Sequence, residues 1–473
     1  MKKALAIDMG ATSIRGILGW VEDGKLHTEE VMRMEHKAVR KDGRLRWQWG
    51  KLIDKIADTV AEHAEEIVSV GVDTWGVDFG LLDEEGKLCA DPVSYRDALH
   101  RRGYDKAIGL IGGKKLFMGT GTQLMTINTL FQLIELQDAP HAEWKKAQSL
   151  LMMPDLVGYM LCGEKAAEET ILSTAQVMDL ETVRIDDVLL ERFGISERMF
   201  APLVQAGTRL GTTKHARIEK LRGLKPVNVI AVCGHDTASA VMLTEAFCDP
   251  DCMFLSCGTW SLFGVLSEHA VLTEQAYRMD MTNELGYGQR NMFFRNITGL
   301  YLLEKCRAEI EAEQGRKLGF EEITEYVTAH PNASGLIDMD APQFGADGVC
   351  ARQEIDAFLK EKGRPLPAEN MAYFRIIYES LVEKYAQTQD ALEAITGKKY
   401  RALHIIGGGA RSALLCQMTA DRLGVPVTAG PYEATAAGNL IVQLIAEGEI
   451  DDLAAGIEMM QRTAEVRRYE PRI

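Results

Sequence analysis

Two stretches far apart in the chain follow one plan: a short apolar strand, a turn of small residues, then a second strand. The first is Ala4-Leu-Ala-Ile7, the turn around Asp8-Met-Gly10-Ala11-Thr12-Ser13, and a strand from Ile14 onward. The second is Cys252–Ser256, the turn Cys257-Gly-Thr259-Trp-Ser261, and Leu262–Leu266. Their separation is far longer than the unit of a solenoid, so they mark a duplicated domain and not a repeat array. A chain of 473 residues also exceeds one ordinary core. The expected division is 1–243 and 244–473, with a tight hinge near 240–250, because no linker-like segment separates the halves.

The class is α/β. Residues 3–8, 14–20 and 26–34 read as a three-stranded meander, followed by a helix from Trp47 to about Glu66 and a strand at 67–73. Leu81 and Leu82 read as strand. Residues 100–200 are mostly helical, with turns at Gly112-Gly113, Asp138-Ala-Pro140 and Cys162-Gly163. A strand at 227–233 closes the first half. In the second half, helices are expected at 297–313, 320–330, 368–396 and 410–423, with strands at 402–406 and 426–428 and a last helix at 433–447.

Charge excludes some functions. The net charge of −16 argues against non-specific nucleic-acid binding and against an anionic membrane surface. Asp8 interrupts the first apolar run too early for a signal peptide, and no stretch approaches 18 uncharged apolar residues. Nine scattered Cys with no secretory signal read as reduced thiols of a cytoplasmic protein. Cys248 and Cys252 have no second pair or nearby His to complete a zinc site.

Four motifs carry chemistry. In Asp8-Met-Gly10-Ala11-Thr12-Ser13-Ile14-Arg15, Gly lets the backbone approach an anion, and the groups after it suit a phosphate. Asp8 at a strand end suits the waters of Mg²⁺. The plainer reading is an ordinary hairpin turn. Gly234-His235-Asp236-Thr237 follows an apolar strand, where α/β sheets gather ligands. Asp236 reads either as a general base for a hydroxyl or as a helix cap, and His235 as a sugar ligand or a packed core residue. Gly407-Gly408-Gly409 suits close approach to a flat ring, or a tight βα turn. Asp73-Thr-Trp75-Gly76-Val-Asp78-Phe79 mixes carboxylates and an indole as a sugar site does, or ends a strand with core aromatics. Neither a Walker A motif nor G-x-G-x-x-G is present.

The ordered set formed by these motifs with Tyr95-Arg96-Asp97, Leu151-Met-Met-Pro-Asp155, His235-Asp-Thr-Ala-Ser239, Ser256-Cys-Gly-Thr-Trp-Ser-Leu262, Thr282-Asn-Glu284, Asn296-Ile-Thr-Gly-Leu300 and Ala429-Gly-Pro-Tyr-Glu-Ala434 resembles the FGGY carbohydrate kinases from about residue 3 to about 445. The resemblance implies two ribonuclease-H/actin-like ATPase domains with a ligand cleft between them. It implies Mg²⁺- and ATP-dependent phosphorylation of a ketose by direct in-line transfer. The nearest branch of the family implies L-rhamnulose, phosphorylated at its 1-hydroxyl in L-rhamnose catabolism. Asp236 is then the proton acceptor, and Gly76, His235, Thr237 and Asn296 face the sugar. Ala11, Thr12, Ser13, Ile14 and Arg15 meet the ATP phosphates with Asp8 on the metal side, Thr259 touches the phosphates, and Glu304 and Gly408 serve the nucleotide. The implied partners are the sugar and ATP, with no nucleic acid and no membrane, in a monomer or small homo-oligomer.

Three departures stand out. Position 304 is Glu where the family pattern has Gln, Ser412 stands where relatives carry Asn, and Leu124-Met-Thr-Ile127 is bulkier than the pattern. The rival expectations are a kinase of L-fuculose, L-xylulose or D-xylulose, and a non-catalytic actin-like ATP-binding protein.

Overall fold

The computed structural model describes residues 2–138, 141–345 and 350–472. The expected turn at Asp138-Ala139-Pro140 therefore lies largely outside the described residues. The chain forms two compact units. One comprises Met1–Leu243, Ser267–Phe293 and Ala434–Ala464; the other comprises Thr244–Leu266, Phe294–Glu433 and Glu465–Ile473.

In the first unit, β1 (Lys3–Met9), β2 (Ser13–Glu22) and β3 (Lys25–Glu35) form the expected meander. Helix α1 (Trp49–His63) follows, and Leu52, Ile53, Ile56 and Val60 supply its buried face at helical spacing. Then come β4 (Ile67–Thr74), β5 (Arg209–Thr212) and β6 (Asn228–Ile230), giving the sheet order β5-β6-β4-β1-β2-β3. Strand β1 is central and buried on both faces, so its sequence is continuously apolar up to Asp8. Register sets Asp8 beside Asp73 on β4 and beside Arg15 on β2.

The strand expected at 227–233 is shorter, because the pairing of β5 with β6 shifts register between Arg209 and Gly211. Residues 231–234 continue instead as extended chain, where Gly207 N donates to Ala231 O (2.7 Å) and Thr74 N donates to Gly234 O (2.8 Å). That chain runs into helix α2 (Asp236–Val241). Helix α3 (Ala434–Ala446) packs across α2 so closely that a Cβ on Gly438 would stand 1.9 Å from Ser239 O.

In the second unit, β7 (Cys252–Cys257) and β8 (Trp260–Ser267) repeat the antiparallel hairpin of β1 and β2. The sheet that contains them has the order β9-β10-β8-β7-β11-β12-β13, where β9 (Thr282–Leu285) is counted in the first unit, β10 (Asn291–Thr298) passes from the first unit into the second after Phe293, and β11 (Ala402–Ile406), β12 (Val427–Ala429) and β13 (Arg467–Tyr469) belong to the second. Strand β7 runs parallel to β11 as β1 does to β4, the relation that a duplication requires.

Some boundaries moved. The helix expected from 297 begins at Tyr301, because Asn291–Thr298 is a strand whose Met292, Phe293, Phe294 and Ile297 are all buried. A short apolar run of this kind has no period that separates strand from helix. Helices Ala351–Glu361 and Leu453–Thr463 were not anticipated; the second is capped by Asp452, whose side chain accepts from Ala455 N.

Candidate active site

The first turn is built by the hairpin itself. Gly10 N donates to Ser13 O (2.9 Å), His36 N donates to Thr12 O (2.9 Å), and His36 Nε2 donates to Gly10 O (2.8 Å). Thr12 is exposed, and Ala11, Ser13 and Arg15 are half-buried, so the turn offers backbone and hydroxyl groups to a ligand. Ile14 is fully buried and paired with Met9 and Met34, so its side chain serves the core. The Arg15 guanidinium pairs with the Asp8 carboxylate.

Three carboxylates act on one another through their charges here. Asp73 is wholly buried, and burial followed by the charge of Asp8 pushes its carboxyl well above the ordinary value, against the hydrogen bond from Asn439 Nδ2 (2.6 Å). Asn439 is itself held by Gln443 Nε2 (2.7 Å), which also donates to Leu5 O (3.0 Å), so α3 braces the centre of the sheet. Asp236 is raised as well, first by burial and then by Asp8, while His235 and the Thr237 hydrogen bonds act in the opposite sense. Its side chain is nevertheless 31% exposed and reachable.

The capping alternative for Asp236 is not what the backbone shows. The N-cap of α2 is His235, whose side chain makes no capping bond; Asp236 stands in the first helical turn, and Thr237 Oγ1 donates to its Oδ1 (3.3 Å). Its approach is fixed by Glu168, whose Oε2 accepts from Gly234 N (2.9 Å), Thr170 N (3.0 Å) and Thr170 Oγ1 (2.6 Å). Burial pushes Glu168 to about 7, against those hydrogen bonds. His235 lies between two acids: Nδ1 is 3.0 Å from Glu284 Oε2 and Nε2 is 3.5 Å from Asp236 Oδ1.

Glu168 gives a test. Its folded value of about 7 lies above an unfolded value of about 4.3, so the native state binds the extra proton and stability falls as pH rises between the two. Glu168→Gln keeps an acceptor oxygen and carries no charge. Denaturant titrations from pH 4.5 to 8 are expected to show a flatter pH dependence for it, with higher stability than the parent at pH 8. An unchanged slope would contradict this account.

In the segment 73–79 the two aromatics follow the second of the readings open to them, that of core residues at a strand end. Trp75 and Phe79 are buried, and Asp78 Oδ2 accepts from the indoles of Trp47 (2.6 Å) and Trp75 (2.9 Å). Burial lifts Asp78 to about 7, against those hydrogen bonds. Val77 has φ 67°, a conformation that strains a β-branched residue, and it is held by Thr174 Oγ1 on its N–H (3.0 Å) and by Thr129 Oγ1 on its carbonyl (2.7 Å). Gly76 is pressed against Thr174, whose Oγ1 would lie 3.0 Å from a Cβ there.

The second unit carries the other expected residues. Thr259 sits at the tip of the β7–β8 hairpin, where its carbonyl accepts from Gly299 N (3.1 Å) and Tyr301 N (3.3 Å). Asn296 lies on β10. Glu304 is in the first turn of helix Tyr301–Gln314 and pairs with Arg307 Nη2 (2.7 Å). The Gly triplet has a partly internal explanation. A Cβ on Gly407 would stand 2.9 Å from Cys257 O, and one on Gly409 would stand 2.2 Å from Cys257 Sγ, whereas Gly408 faces open space. The α-helix starts only at Ala413, capped by Ser412 Oγ, which accepts from Leu415 N (3.2 Å); that accounts for Ser412 structurally.

Among the described residues, no three His, Cys, Asp or Glu side chains are grouped to hold a metal alone. The surplus negative charge of Asp8, Asp73 and Asp236 fits a hard cation, because a divalent ion would relieve the mutual repulsion that raises the latter two.

Residues 3–242 match the N-terminal domain, and residues 253–447 the C-terminal domain, of the FGGY family of carbohydrate kinases. The chain belongs to that family and is a sugar kinase with the two-domain actin-like fold. It is similar over nearly its full length to rhamnulokinases. That of Bacteroides thetaiotaomicron is 38% identical over 470 residues, covering 98% of this chain and 95% of that protein. That of Bacillus subtilis is 32% identical over 470 residues, covering 99% and 95%. Among solved structures, xylulose kinase from Lactobacillus acidophilus superposes with a TM-score of 0.80 at 15% identity, covering 100% of this chain and 94% of that one, which bears on the fold.

Asp8, Asp236 and the Gly loop stand out in the sequence, whereas Glu168, Asn439 and the pairing of Glu284 do not. Thr282-Asn-Glu284 was visible as a motif, but its partner His235 lies 49 residues earlier (284 − 235) and no local signal joins them. No helix among the described residues is long and apolar enough to cross a membrane.

Proposed function

We propose that this chain transfers the γ-phosphoryl group of ATP to the 1-hydroxyl of L-rhamnulose, giving L-rhamnulose 1-phosphate. The observation that carries the proposal is Asp236: a reachable carboxylate, raised by burial and by Asp8, in the first turn of a short helix beside His235. Its raised value favours taking a proton from a hydroxyl as that oxygen attacks. The sugar identity is supported by the full-length likeness to proteins named rhamnulokinase.

In this reading His235, Thr237, Gly76 and Asn296 orient the sugar. The turn Ala11–Ser13 and Arg15 receive the phosphates, and Thr259, Glu304 and Gly408 serve the nucleotide; Ile14 holds the hairpin's register. Mg²⁺ bound with ATP would neutralise charge on the β- and γ-phosphates. The protein's share is to position the hydroxyl against Asp236, take its proton and keep water from competing as acceptor. Transfer is direct, with no covalent enzyme intermediate. The reading places the enzyme in the cytoplasm, as a monomer or small homo-oligomer.

The test is ADP release with Mg²⁺·ATP and L-rhamnulose, L-fuculose, L-xylulose, D-xylulose, L-ribulose or glycerol. L-Rhamnulose is expected to exceed each of the others in kcat/KM by about tenfold or more, since a site built to hydrogen-bond hydroxyls rejects sugars that leave its polar groups unpaired. Preference for another ketose would move the substrate assignment. Turnover of none, with ATP still bound, would overturn the role of Asp236.

A further inference from the structure

Each ring nitrogen of His235 lies near a carboxylate. Nδ1 is 3.0 Å from Glu284 Oε2 and Nε2 is 3.5 Å from Asp236 Oδ1, and the His235 and Glu284 side chains are only 8% and 7% exposed. A neutral imidazole has one N–H and one lone pair. Between two carboxylates, either neutral tautomer points its lone pair at an anion, and only the imidazolium has a proton for each side. Without that cation, Glu284 would be a buried charge lacking its partner, a strongly unfavourable state.

Glu284 is not free to turn away. It lies on β9, where Gln123 N donates to Thr282 Oγ1 (3.0 Å) and Leu285 N donates to Ser173 Oγ (2.9 Å). Between them, Asn283 Nδ2 donates to Gly121 O (3.0 Å), and Asn283 Oδ1 accepts from Val271 N (2.7 Å). His235 is fixed by its own backbone, whose N–H donates to Thr170 Oγ1 (3.3 Å).

We propose that Glu284 is a positioning residue that holds His235 as an imidazolium, with its Nδ1 proton toward Glu284 and its Nε2 proton toward Asp236 and the sugar oxygen that Asp236 activates. The proposal rests on the reading of Asp236 as the base. In it, His235 is a fixed donor that keeps the Asp236 carboxylate ionised and oriented, and Glu284 acts only through it. The charged groups facing His235 are Glu284 from β9, Asp236 from α2 and Glu168 ahead of helix Glu169–Ser173. Burial works to lower the imidazolium's affinity for its proton, and the three carboxylates outweigh it, so His235 stands above its ordinary value.

The sign follows. The imidazolium is present at low pH and is lost as pH rises through the raised value, and that loss is expected to set the alkaline limb of kcat/KM. In Glu284→Gln the charge that sustains it is gone, and that limb is expected to move to lower pH by about 1–3 units. Glu284→Asp, which keeps the charge, is expected to restore part of the shift. A Glu284→Gln enzyme with the parent's pH profile would overturn the proposal.

A second readout needs no variant at position 284 and no turnover. In the intact wild-type chain labelled with ¹⁵N-histidine, the His235 signals, assigned by their loss in His235→Asn, are expected to show both ring nitrogens protonated at pH 7. One bare nitrogen would overturn the pairing. An imidazolium signature in a chain that phosphorylates no sugar would uphold the pairing and overturn the kinase reading of Asp236, so the two failures are distinguishable.

Discussion

Asp236→Asn is expected to lower kcat by about 10²–10⁴-fold, the share a positioned general base contributes, while ATP binds as well as before or tighter. The asymmetry comes from charge. Asp8, Asp73 and Asp236 already repel one another, and that repulsion, with burial, raises Asp73 and Asp236. Removing one negative charge from such a cluster takes away the proton acceptor but eases the approach of a polyanion. The fold should not suffer, since Asn can still accept from Thr237 Oγ1, which now reaches Asp236 Oδ1 at 3.3 Å. Single-turnover kinetics with a nucleotide-binding titration check both halves. Near-normal turnover would move the base elsewhere.

Gly438→Ala is expected to destabilise the first unit by on the order of 3 kcal/mol and to reduce kcat with it. An added Cβ would meet Ser239 O at 1.9 Å and Ser239 C at 2.7 Å, and these are backbone atoms of α2 that no rotamer change can move aside. Relief requires α3 to back away from α2, and α2 carries Asp236 in its first turn while α3 carries Asn439, the residue bonded to Asp73. The control is Gly109→Ala in helix His100–Ile111, where a Cβ meets nothing within 4 Å. There the change is expected to stabilise by about 0.5–1 kcal/mol through helix propensity alone. Denaturant titrations of both variants, with kcat, separate the two. Equal stability for Gly438→Ala and the parent would mean that α2 and α3 pack less closely than the structure shows.

The elements that the sequence revealed are those whose signal is local. The meander 3–34, α1 and the strand 402–406 have continuous apolar runs or clear helical spacing bounded by Gly and Asp turns, and they form close to where that pattern places them. Strand Asn291–Thr298 did not show itself, because an apolar run buried on both faces has no period to display. The Gly triplet was legible as a close approach, but part of what it approaches is Cys257 of the same unit's β7. The acids Asp73 and Asp78 looked alike beside a Trp. One became a buried neighbour of Asp8, braced from α3, and the other a clamp on two indoles.

By itself, the sequence determined the duplicated strand–turn–strand plan, the family, and the positions of the hairpin turn and of the carboxylate after the 229–232 run. Each is written in a few adjacent residues whose backbone needs are local: an apolar strand, a Gly where the chain must turn, and an acid where the strand stops. Tertiary structure alone decided what those acids are. Burial and the charge of Asp8 raised Asp236, Glu168 fixed the chain entering α2, and Glu284 came to His235 from 49 positions away (284 − 235). Desolvation and charge pairing depend on distance in space, and no periodicity along a chain records which strand will fold back against which histidine.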